Sequence, residues 1–336
     1  MDWCDESGSR ACVGIVGPVQ TWYWTHNSRW ELWAMTALAL FALSQSGRAI
    51  AQSECEGAPA AWIFCTGFEE GDFSVWDDYD GNPLETNRVV PDPGPHGRAG
   101  NNVAQLVSVS GVVGSDLVKV LPGGHQRLYA RWYIKFEPGF SFSTQGHVGG
   151  GLHAGARSHL GRSNFRPAGN DWFSGWFETN SVGRPFVYTY YRGMYMDCTD
   201  PNGSCWGDHF PCMIDQGQGY CTKPEHRPAA PPAPLTVGNW HCVELMMDGG
   251  QPSTSQTNAS GQMNLWVDGN EIGPWTNLWF RTSSNVNLSI LWLNVFFHGS
   301  HGPAGVRYDD VVVSTQRIGC ATEASPPRPP HNVTVQ

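Results

Sequence analysis

From Leu128 to Phe136 the chain reads LYARWYIKF, in which Tyr129, Arg131, Tyr133 and Lys135 alternate with Ala130, Trp132, Ile134 and Phe136. Successive side chains of an extended chain point to opposite faces, so this alternation predicts a strand with one buried face. Similar runs recur at Ala61–Gly67, Asn102–Val109, Ser115–Val120, 172–178, 185–191, Asn239–Asp248, Gln262–Val267, Asn287–His298 and Val306–Ser314, bounded by Gly, Pro, Asn and Asp. No long stretch carries helical periodicity. Short strands punctuated by turn residues are the pattern of an all-β sandwich or barrel, which commonly reaches this length as one domain.

The ends and one internal segment depart from that pattern. Residues 33–44 (WAMTALALFALS) form an apolar run of signal-peptide length, and Ala49-Ile50-Ala51 supplies small residues for cleavage before Gln52. Residues 1–51 are therefore read as a leader, too short in its apolar part to span a bilayer comfortably. Ten cysteines without paired C-x-x-C zinc spacing point the same way, to disulfides and an extracellular or periplasmic location. The domain is expected over 52–322, followed by a disordered polar, proline-rich tail at 323–336. Within it, 195–234 holds Cys198, Cys205, Cys212 and Cys221 and the proline-rich EHRPAAPPAP. It reads as a loop insertion stapled by two disulfides, with three possible pairings left open. Cys55, Cys65, Cys242 and Cys320 lie beside framework strands, and a bond from the start of the domain to its end, Cys65 to Cys320, is expected.

The net charge of −10 argues against nucleic acid or an anionic membrane as partner, since both reward a basic face. A monomer is expected. The acids Glu69, Glu70, Asp72, Asp77, Asp78 and Asp80 fit no defined calcium loop, so no cofactor is expected beyond the possibility of a structural calcium ion.

Histidine, arginine and tyrosine crowd into residues 146–191. GHVGGGLHAG carries His147 and His153, which share a face only if the stretch is extended. The following loop carries Arg157, Arg162 and Arg166, with no acid among residues 154–170. Tyr188 and Tyr190, two apart on a strand, share a face. In NLSILWLNVFFH, Leu291, Leu293, Val295 and Phe297 form the apolar face, leaving Trp292, Asn294, Phe296 and His298 to line a cleft, with Trp292 as a stacking platform for sugar. These histidines show no metal-ligand spacing, so no metal site is expected. Glycoside hydrolysis is disfavoured, because Glu244 and Asp248 are four apart, Glu178 has no acid two residues away, and no E-x-D-x-x-E run occurs.

YARWYIKFEPGF, GHVGGGL, FSGWFE followed by VYTYY, WHCVELMMD followed by LWVDG, FFHGSHG and YDDVVVSTQRIGC together resemble the jelly-roll polysaccharide lyases, within the concanavalin A-like lectin and glucanase superfamily. The pattern is similar to alginate lyases of polysaccharide lyase family 14, with glucuronan lyases as neighbours, over roughly residues 62–320. The resemblance implies a concanavalin A-like jelly-roll β-sandwich. It also implies a secreted lyase that cleaves a uronate-containing polysaccharide by β-elimination in an open cleft. Carried over residue by residue, the family's lysine position holds His147, its serine is Ser174, its arginine position holds Trp176, and its tyrosine pair is Tyr188 and Tyr190. His147 is then the candidate base and Tyr190 the candidate acid, with Tyr188 and Ser174 positioning the sugar. Arg157, Arg162 or Arg166 would neutralise the uronate carboxylate, while His153, Trp176, Trp292, Asn294 and His298 shape the binding surface. The alternative is a lectin-like, non-catalytic protein of the same fold.

Overall fold

A computed structural model describes residues 54–80, 87–108, 114–144, 146–195, 206–214, 216–217, 223–298 and 304–321. The expected leader and tail, His301, and three of the four insertion cysteines (Cys198, Cys205 and Cys221) lie outside these residues. Among the described residues no helix is long and apolar enough to cross a membrane.

The described residues form sixteen strands in chain order. They are β1 (Trp62–Thr66), β2 (Asp78–Asp80), β3 (Asn87–Pro91), β4 (Asn102–Ser108), β5 (Gly114–His125), β6 (Arg127–Phe136), β7 (Gly146–Gly155) and β8 (Trp172–Thr179). Then come β9 (Pro185–Tyr190), β10 (Asp208–Phe210), β11 (Trp240–Asp248), β12 (Gly261–Val267), β13 (Asn270–Glu271), β14 (Trp275–Leu278), β15 (Leu288–Phe297) and β16 (Ala304–Ser314). One sheet runs β13-β12-β11-β6-β16-β4-β3, with β1 on β16 and β14 on β12; the other runs β10-β9-β8-β7-β15-β5-β2. Every pairing is antiparallel, and the two sheets form a jelly-roll β-sandwich.

The period-two pattern explains which faces meet. Leu128, Ala130, Trp132, Ile134 and Phe136 of β6 are completely buried, and so are Leu291, Leu293 and Val295 of β15. Each such side chain contributes on the order of 2 kcal/mol by leaving water. Trp132 meets Phe177 of the opposite sheet edge to face at 6.1 Å. The Tyr308 hydroxyl crosses the core to donate to the carbonyls of Gly149 and Asn294 at 2.6 and 3.0 Å.

The glycine-rich stretch is an extended strand. β7 lies between β15 and β8, and a Cβ at Gly151 would collide with the Gly175 carbonyl and with Trp176. Extension sets His147 and His153 on one face.

One expectation is corrected. Cys65 bonds to Cys55 and Cys320 to Cys242, with Cα separations of 5.6 and 5.9 Å, so the Cys65–Cys320 bond does not form. The reason is register: Cys65 lies opposite Val312. Cys320 comes eight residues further on, beside Cys242, to which it is bonded. Pairing of β1 with β16 closes the start of the domain onto its end instead. The segment 195–234 contributes one short strand to the sandwich. Its β10 pairs with β9 at the sheet edge, Phe210 and Met213 are completely buried in the sandwich core, and Cys212 is disulfide-bonded.

Candidate functional site

The outward face of the β10–β2 sheet carries a cleft of about 280 Å³. Its floor follows from register. Gly151 of β7 lies between Trp176 of β8 and Trp292 of β15, and with no side chain between them the two indoles meet edge to face at 5.6 Å. Trp292 Nε1 donates to Asp116 Oδ2 of β5 at 2.9 Å, which fixes the plane of that ring. Asn294 Nδ2 donates to the His147 carbonyl at 3.2 Å.

His147 sits at the centre. Its ring lies nearly parallel to Tyr188, with centroids 5.5 Å apart, and also stacks on Phe296 at 5.9 Å. Nδ1 is 2.6 Å from Oε1 of Glu178, a carboxylate only 5% exposed, and Nε2 is 2.8 Å from Nε2 of His298. Burial acts to lower the His147 pKa, but the charge and hydrogen bond of Glu178 outweigh it and hold the ring above the ordinary histidine value. Burial, and then the neighbouring His147, push His298 below it.

The tyrosines complete the cleft. The Tyr188 and Tyr190 hydroxyls are 2.9 Å apart, and the Gly207 N–H donates to Tyr188 Oη at 3.2 Å. Burial raises the Tyr190 pKa above that of a free phenol, so at neutral pH it carries a proton to give.

Eight of the residues expected from the sequence thus come together around one cavity: His147, Arg162, Trp176, Tyr188, Tyr190, Trp292, Asn294 and His298. Four do not line it. Ser174 and His153 face each other across β8 and β7 on the same face as the cleft but further along it, fully buried beside Trp172, where Ser174 Oγ and His153 Nδ1 have no hydrogen-bond partner among the described residues. Burial lowers the His153 pKa to about 4, helped by nearby His159, so this ring is neutral. Arg157 is ion-paired with Asp78, and Arg166 donates to the Met194 carbonyl. Arg162 is the cation that remains. Its guanidinium lies 3.9 Å from the Phe165 ring centroid, at the cleft rim.

The sequence reading missed Glu178, Asp116 and Trp206 as lining residues. Glu178 had a signal, since it continues the alternation of Ser174 and Trp176 along β8. Asp116 acquires its place only through pairing of β5 with β15, where it lies opposite Asn294. Trp206 arrives from the cysteine-rich segment with no periodic cue. Of the acids in 69–80, Asp77 pairs with Lys119, Asp78 with Arg157, Asp72 accepts the Ser74 N–H, and Glu70 accepts from Thr66. Their partners are separate, and among the described residues no group of three His, Cys, Asp or Glu side chains is arranged to hold a metal.

No protein-family model matches the chain, and no curated protein matches its sequence. Solved structures do resemble it. The alginate lyase vAL-1 from Chlorella virus superposes with a TM-score of 0.54 at 15% identity, covering 75% of this chain and 99% of that one. The marine PL-14 alginate lyase from Aplysia kurodai gives 0.52 at 11% identity, covering 76% of this chain and 100% of its own. At such identities the likeness establishes a shared jelly-roll fold.

Proposed function

We propose that this protein is a secreted polysaccharide lyase that cleaves a uronate-containing glycan by β-elimination. The observation that carries the reading is the grouping of His147, Tyr188, Tyr190 and Arg162 around one open cleft with a tryptophan floor. Elimination requires that the C5 proton be removed, the C5 carboxylate be neutralised and the leaving O4 be protonated. With Nδ1 held by Glu178, His147 presents Nε2 as the base once the sugar displaces the exposed His298 from it, and the carboxylate strengthens that base. Tyr190, still protonated at neutral pH, gives its proton to O4, while Tyr188 orients its hydroxyl. Arg162, free of any ion pair among the described residues, meets the uronate carboxylate and so stabilises the enolate-like transition state. Trp292 stacks beneath the sugar. The Cys55–Cys65 and Cys242–Cys320 disulfides fit an oxidising, extracellular compartment. The alginate lyases that share the fold suggest alginate and its uronate relatives as the first substrates to try.

The test is a panel of uronate and neutral glycans, followed by absorbance of unsaturated uronate ends. The intact protein is expected to generate them. His147→Ala and Tyr190→Phe are each expected to lower kcat by about 100-fold, the usual worth of a general base or acid. Full activity in both variants would refute the assignment. One observation favours a second, lectin-like reading: where the lyase pattern has an arginine, this chain has Trp176, packed against Trp292. Glycan binding that survives His147→Ala, with no unsaturated ends from the intact protein, would establish that reading instead.

A further inference from the structure

His298 lies just past the end of β15, exposed to solvent; its ring meets that of His147 edge to face at 4.8 Å, with the two Nε2 atoms 2.8 Å apart. Glu178, His147 and His298 therefore stand in series, with links of 2.6 and 2.8 Å leading from a buried carboxylate to the surface. The faces of the His147 ring are covered by Tyr188 and Phe296, so protons reach or leave it through its two nitrogens. Several charged or titratable groups share the cleft: Glu178 from β8, Tyr188 and Tyr190 from β9, His298, Asp116 from β5, and Arg162 from the loop after β7. Of these, Glu178 and His298 are the ones within hydrogen-bond distance of the imidazole nitrogens.

We propose that His298 is a proton relay for His147, carrying to solvent the proton that His147 takes from the sugar; the proposal rests on the lyase reading above. The proton balance shows why a relay is useful. As the C5–H bond breaks, its electron pair forms the C4–C5 double bond, the C4–O4 bond breaks, and O4 takes the Tyr190 proton. The site is left with an imidazolium at His147 and a phenolate at Tyr190. At rest Nε2 of His298 donates to Nε2 of His147; displaced by the sugar, the exposed ring exchanges through water to its Nδ1–H tautomer and returns as the product leaves. His147 keeps its Nδ1 proton on Glu178 and donates its Nε2 proton to the bare Nε2 of His298, which releases its Nδ1 proton to water and is again the Nε2–H donor. Water reprotonates Tyr190, and no proton is gained or lost over the cycle. The depressed pKa of His298 makes it release a proton to water readily, and the transfer from the more basic His147 is the uphill step. His298 acts through His147 and positions its proton; it need not touch the sugar.

The test pairs kinetics with titration. His298→Ala is expected to lower kcat about tenfold with little change in KM, and added imidazole is expected to restore the rate in proportion to its concentration. A rise in KM with kcat unchanged, or a kcat loss that imidazole does not rescue, overturns the relay and leaves His298 as part of the binding surface. Nuclear magnetic resonance of nitrogen-labelled imidazoles supplies a readout that needs no substrate. In the intact protein His147 and His298 are expected to titrate as a coupled pair, and in His298→Ala His147 should titrate in one step. Independent titration in the intact protein overturns the relay alone. Coupled titration with no product from any uronate glycan overturns the lyase reading alone.

Discussion

At the scale of single residues, the site is governed by what surrounds one imidazole. A free histidine is half-protonated near pH 6.5, whereas His147 is held higher because Glu178 outweighs the cost of burial. The acting base is the neutral form, so activity should rise with pH through this raised value. Removing the charge in Glu178→Gln leaves burial as the main influence and lowers the His147 pKa. The rising limb of the kcat/KM profile is therefore expected to move to more acidic pH while the maximal rate falls, since the ring is a weaker base. A limb that stays in place, or moves towards alkaline pH, would contradict the role given to Glu178.

At the scale of elements, β7 and β16 show how strands are adjusted to their neighbours. β7 needs glycine where Trp176 and the Gly175 carbonyl crowd it. Gly151→Ala is expected to cost about 1–3 kcal/mol by overpacking and to drive Trp176 away from Trp292, seen as a lower Tm and weaker glycan binding. On β16, the register shifts between Asp309 and Val312, and two adjacent acids are buried against β6. Asp310 is ion-paired with Arg98 at 2.8 Å and His96 at 3.1 Å, while Asp309 accepts from Asn101 Nδ2 at 2.9 Å. Burial, then the charge of Asp310, push the Asp309 carboxyl well above the ordinary carboxylate range. A folded-state pKa above the unfolded one means that the native protein holds the extra proton. The associated stability is present at acid pH and is lost as pH rises through the raised value. The Tm of the intact protein should therefore fall from mildly acidic to mildly alkaline pH, and Asp309→Asn should flatten that slope. A steeper slope in the variant would refute the assignment.

At the scale of the whole molecule, the sandwich is closed by strand pairing and tied by covalent bonds. Cys242–Cys320 encloses a loop of 78 residues, whereas Cys55–Cys65 encloses 10. In the chain-entropy view the longer loop stabilises by about 4 kcal/mol and the shorter by about 3. Cys320→Ser should accordingly lower stability by roughly 2–4 kcal/mol in denaturant titration. It also frees Ile318 and Gly319, whose backbone N–H groups donate to the buried Glu244 carboxylate at 2.7 and 3.0 Å. A Cys320→Ser variant as stable as the intact protein would show that these hydrogen bonds alone secure that end. Circular dichroism should display β-structure with little helix in both proteins.

Local patterning determined the β class, the positions of most strands and the buried face of each, because side-chain alternation is a property of the extended backbone itself. It also determined that Tyr188 and Tyr190 share a side, and that Trp292, Asn294, Phe296 and His298 share another. It could not determine which strands lie side by side, since that depends on the packing of the whole sandwich. His147 and His298 are 151 residues apart and meet because β7 pairs with β15; Glu178 reaches His147 because β8 flanks β7 on the other side. The same tertiary arrangement drew Arg157 to Asp78 and Arg166 to a carbonyl, leaving Arg162 at the cleft. It likewise set Cys65 opposite Val312 and bonded to Cys55, with Cys320 bonded to Cys242. Sequence determines faces because the pleat repeats every two residues; only the closed sandwich decides which of those faces touch.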